Sequence, residues 1–130
     1  MAVIAFARSE KGTWLAARWA HNRFLNDIIA RRPDDAVVAQ IMHRAIALDG
    51  LHLDLLYEED KALADKIKTL MRDVAVDIVE GKDRPSLCWR HGLSEADQRM
   101  YVQSIKDLLQ IIDIDSKSAA GNAGDADRAS

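Results

Sequence analysis

Five residues carry side chains from which a chemical site could be built: His21, Asp49, His52, Cys88 and His91. Imidazole, carboxylate and thiolate are the common protein ligands of transition metals. On a helical wheel His21 and His52 both fall on apolar faces, so two imidazoles and the Asp49 carboxylate would make one internal metal or ligand site. The simpler reading of each is a histidine satisfied within a core. A ferritin-like di-iron centre needs a glutamate followed three residues on by histidine on two helices, plus two further inward glutamates. Here Asp49-Gly50-Leu51-His52 is a single copy with aspartate in place of glutamate. Cys88 and His91 have the spacing of half a zinc site, and the chain has no second cysteine. Cys88 as a nucleophile would need a cation to hold its thiolate, and Arg84, Arg90 and His91 are near in sequence. Against that, a cysteine beside Trp89 serves equally well as a small hydrophobe.

Other chemistries lack their residues. His43 is followed by Arg44-Ala45-Ile46-Ala47, without the lysine and glycine of phosphotransfer histidines. Glu58-Glu59-Asp60 would begin a magnesium site only if a paired acidic motif recurred on a second helix. Asp73 and Asp77 do not supply one, and charge pairs with Lys61 and Lys68 suit a solvated face. There is no glycine-rich phosphate loop, no GxSxG and no HExxH. No motif carries a family resemblance. The expectation is a non-enzymatic chain without a cofactor, the alternative being a small enzyme or sensor using His21 and His52 or Cys88.

The elements that would position these residues read as helices. From Asp34 to Glu80 no proline interrupts a helical pattern, and Val37, Val38, Ile41, Met42, Ala45, Ile46, Leu48, Leu55, Leu56, Leu63, Ile67, Leu70, Met71, Val74 and Ile78 share one half of the wheel. Asp49-Gly50-Leu51 resembles a helix ending, which would turn or kink the chain at Gly50. A continuous rod would instead expose a long stripe and favour a homodimer. A first helix is expected from Thr13 as its cap to Arg31 before Pro33. Val3, Ile4 and Phe6 before it read as a short extended arm. Ser94 and Asp97 form a capping box with Leu93 ahead of it, and Tyr101, Ile105, Leu108 and Ile112 follow as a bundle seam. The fold expected is all-α, an up-and-down bundle of three to four helices over residues 1–112. Residues 113–130, poor in apolar side chains, are expected to form a flexible tail.

Bulk properties narrow the partners. The 130 residues are 48% hydrophobic and 30% charged, the balance of one soluble domain. A net charge of −3 argues against general nucleic-acid binding. A single cysteine suits a reducing, cytoplasmic setting. Residues 1–7 are too short an apolar run for a signal-peptide core, and no run approaches the ~20 residues that span a bilayer. Trp19 points off the apolar face of the first helix, so it marks a second contact surface, covered by another helix or by a partner. Trp19, Trp89 and Arg90 are the residues expected to touch a protein partner or a second copy.

Overall fold

Residues 2–6 and 12–16 decide the fold class, because they pair as strands and the second of them buries alternate side chains. Ile4, Trp14 and Ala16 are buried, while Leu15 between the last two is exposed. That period of two belongs to strands. The protein's computed structural model describes residues 1–6, 12–81 and 93–129, with side chains described through Ile114. It shows strands β1 (Ala2–Ala5) and β2 (Thr13–Ala16), then helices α1 (Arg18–Arg31) and α2 (Ala36–Leu48). Strand β3 (Gly50–His52) follows, and helices α3 (Leu53–Glu59), α4 (Lys61–Val79) and α5 (Glu95–Ala129) complete the chain.

The chain is mostly helical, but it is not an all-α bundle. The three strands form one sheet in the order β2-β1-β3, with β1 antiparallel to β2 and parallel to β3. The expected helix start at Thr13 is therefore corrected to Arg18, behind an Ala17 cap that offers no side-chain bond. Thr-Trp-Leu-Ala fits either period over four residues, and pairing with the β-prone arm before it decides for the strand.

No rod runs from Asp34 to Glu80. Helix α2 stops at Leu48, and Asp49 takes the left-handed conformation (φ 55°, ψ 32°), its N–H reaching the Ala45 and Ile46 carbonyls. Aspartate tolerates that conformation better than most residues. Gly50 has a different task. A Cβ there would come within 3.2 Å of Val3 Cγ2, so its small size lets β3 lie against β1. A second break follows at Asp60, whose carboxylate accepts the Leu63 N–H and caps α4. With the rod gone, its argument for a homodimer goes too.

The core lies between the inner face of the sheet and helices α1, α4 and α5. Ile4, Trp14 and Leu51 meet Phe24, Leu25 and Ile28 of α1, with Ile67, Met71, Val74 and Ile78 of α4. The α5 seam is as the spacing predicts: Tyr101, Ile105, Leu108 and Ile112 are all buried. By its backbone α5 continues to Ala129, through the segment whose composition suggests a tail; the packed seam ends at Ile112, and Ile114 is half exposed. The Ser94 hydroxyl accepts the Asp97 N–H at 3.1 Å. Ser94→Ala is expected to cost about 1 kcal/mol, read from the urea midpoint with an unchanged slope.

Helix α2 is a peripheral element. It packs mainly on α1 and β3 through Val38, Met42 and Ala45. Lys66 of α4 holds its N-terminus through Asp35, whose carboxylate also caps Val38 N–H. The Lys66 contact, helped by that backbone bond, keeps the Asp35 carboxyl below its ordinary range.

Candidate functional site

The corner where β1, β3 and the first turn of α1 meet gathers part of the expected histidine site. His21 comes from α1, one turn after Ala17, whose carbonyl accepts its N–H. Its ring is fully buried, 6.4 Å from the Trp14 ring centroid, and Nδ1 pairs with Asn22 Oδ1 at 2.9 Å. Among the described residues Nε2 has no hydrogen-bond partner of normal geometry. Burial lowers the pKa of this imidazole below 6.5, against the opposing pull of Asn22, the Asp49 charge and the Val3 carbonyl. Asp49 is itself paired with Arg18 at 2.5 Å.

His52 does not join His21 in the core. As the strand neighbour of buried Leu51 it faces the other way, exposed, near Gly50. A helical wheel placed it inside; the strand period turns it out. Among the described residues no group of three or more histidine, cysteine, aspartate or glutamate side chains is arranged to hold a metal ion. Cys88, His91, Trp89 and Arg90 lie outside the described residues.

The lowered His21 pKa has a consequence in solution. Below pH 6.5 the unfolded chain takes up a proton that the folded ring resists, so the unfolded state binds more protons and stability is lost as the pH is lowered. The loss begins near 6.5 and ends below the folded pKa, with a slope of at most about 1.4 kcal/mol per pH unit for one group. His21→Phe keeps an aromatic ring against Trp14 and is expected to flatten the unfolding free energy between pH 7.5 and 5. An unchanged slope would show that other groups carry it.

A second polar assembly crosses the core, and sequence reading missed it. Arg31 of α1 pairs with Asp77 of α4, and both side chains are largely buried. One helical turn earlier, the Tyr101 hydroxyl of α5 donates to the buried carboxylate of Asp27 at 3.2 Å. Burial, then the charge and hydrogen bond of Asp27, hold the Tyr101 phenol well above its ordinary range, with Arg23 opposing. The phenol is therefore a fixed donor and not a proton carrier near neutrality. The signal in the sequence was Asp27 and Arg31, four apart on the stripe that contains Phe24 and Ile28. Clefts beside Arg31 are open and lined by opposed charges, with Arg32 and Lys66 against Asp34 and Asp35. Nothing there combines a nucleophile, a base and a shielded pocket.

Trp19 lies against Tyr101 with ring centroids 6.0 Å apart, yet 37% of it stays exposed. A helix of the same chain thus covers much of the surface that sequence reading left to a helix or a partner. No described helix is long and apolar enough to cross a membrane. The chain matches no family model, no curated protein and no solved structure.

Proposed function

We propose that this chain is a non-enzymatic protein–protein interaction or regulatory module, acting by contact with a protein partner or with a copy of itself. The observation that supports this is helix α2. Ten of its thirteen residues are apolar and Arg44 is its sole charge, yet only one side is packed. Val37 and Leu48 stand on its outer side, 52% and 67% exposed. Eleven residues apart, they lie three turns along one line of the helix. The exposed side also carries Gln40, His43 and Arg44, so it mixes apolar groups with a single charge, and depletion of charge marks the centre of protein interfaces. Two of the buried polar contacts, Arg31 with Asp77 and Tyr101 with Asp27, join helices to one another inside the core.

The test is a photocrosslinking residue placed at Leu48 and, as control, at Asp73 on the charged face of α4. The reading expects discrete protein adducts from position 48 and none from position 73. Equal labelling at both positions would remove it.

A further inference from the structure

Helix α2 turns one continuous side outward. Val37, Gln40, Arg44 and Leu48 are all exposed and recur at three, four and four residues, with exposed His43 beside Arg44. The stripe is roughly 16 Å long at the rise of an α-helix. Its ends are apolar and its centre is polar. Among the described residues the side chains of Gln40, His43 and Arg44 have no hydrogen bond or ion pair.

No acid of this helix answers Arg44, because α2 contains none. The two acids that flank it are already engaged. Asp35 is held by Lys66 and caps the Val38 N–H, and Asp49 is bound by Arg18. The side of a helix offers no backbone donor or acceptor, so an occupant must make its contacts through side chains. A second helix laid along the stripe does this with residues three and four apart.

We propose that the outer side of α2 docks an amphipathic helix of another protein, one that carries a carboxylate between two apolar residues. This rests on the proposed function and names the chemistry of the partner. The apolar residues meet Val37 and Leu48, and the carboxylate accepts from the Arg44 guanidinium, with His43 and Gln40 as polar neighbours. A charge enclosed in an interface is costly unless an opposite charge meets it, so Arg44 selects the acid. A second copy fits less well. Two α2 helices packed antiparallel, in the register that joins Val37 to Leu48, would hold their Arg44 side chains roughly 10 Å apart with no acid between them. A lipid surface fits less well too, since helices that lie on membranes keep their cations opposite the apolar stripe, and Arg44 stands within it.

The test uses the isotope-labelled full chain and two defined helical peptides, followed by amide shifts. Each peptide has two leucines eleven residues apart. Between them, on the same face, one peptide carries two glutamates and the other two lysines. Wild type is expected to bind the glutamate peptide at least about tenfold more tightly, with the largest shifts at Gln40, Arg44 and Leu48. Arg44→Glu is expected to reverse that order. Because position 44 is exposed, the variant should keep the wild-type circular dichroism. Should it misfold, salt decides in wild type: added salt is expected to weaken the glutamate peptide and not the lysine peptide. Equal affinities, binding of neither peptide, or shifts centred away from α2 overturn the proposal. Position-48 adducts that survive Arg44→Glu also overturn it, while leaving the interaction reading intact. Position 48 without adducts removes both.

Discussion

Asp77→Ala is expected to lower the free energy of unfolding by about 3–5 kcal/mol, a loss large enough to unfold many domains of this size. The mutation removes little volume. Its effect comes from Arg31, whose guanidinium would stay among buried groups with its charge uncompensated. Among the described residues Arg31 Nε has no hydrogen bond, so the Asp77 contact is the one its guanidinium depends on for charge. The double variant Arg31→Met with Asp77→Leu is expected to recover most of the loss, since apolar pairs of similar volume replace buried ion pairs at little cost. Denaturant midpoints of the single and double variants check this. A loss below about 1 kcal/mol for Asp77→Ala would mean that water reaches the pair and screens it.

Trp14→Ala is expected to cost a similar amount, about 3–5 kcal/mol, for a different reason. Trp14 is almost fully buried between β2, His21 and Phe24, and its indole N–H donates to the Ser104 carbonyl at 3.0 Å. It therefore ties the sheet to α5 across ninety residues of sequence. Trp14→Phe keeps most of the buried surface and is expected to lose only about 1 kcal/mol, the share of one hydrogen bond. Equal losses for the two variants would show that the indole bond, not burial, carries the contact.

These residues also show where the sequence was legible. The α5 seam could be read because its apolar residues recur at four, three and four over several turns, and length makes the period unambiguous. The Ser94 cap could be read because its chemistry is local. The strands could not be read so well, since four residues cannot separate a period of two from one of 3.6. Trp14 and Ala17 fit a helical face until β1 is known to lie beside them. Gly50 illustrates the same limit: its sequence neighbours marked a turn, but the left-handed residue is Asp49, and Gly50 is needed for its closeness to Val3. That closeness is set by a residue far away in sequence.

The candidate histidine site divided for this reason. His21 sits on a long helix, and the wheel placed it correctly inside. His52 sits on a three-residue strand, where the wheel does not apply, and it faces outward. The Arg31–Asp77 and Asp27–Tyr101 contacts were hidden because each joins elements whose relative rotation no single-helix pattern contains.

Native mass spectrometry of the untagged, gently purified protein tests the central claim most directly, since it reports subunit number and bound groups together. An interaction module predicts a mass above 14.5 kDa, from a second copy or a retained protein partner, with no metal or small molecule attached. A single 14.5 kDa chain carrying a metal ion or a tightly held ligand would contradict it and return attention to His21, His52 and Cys88.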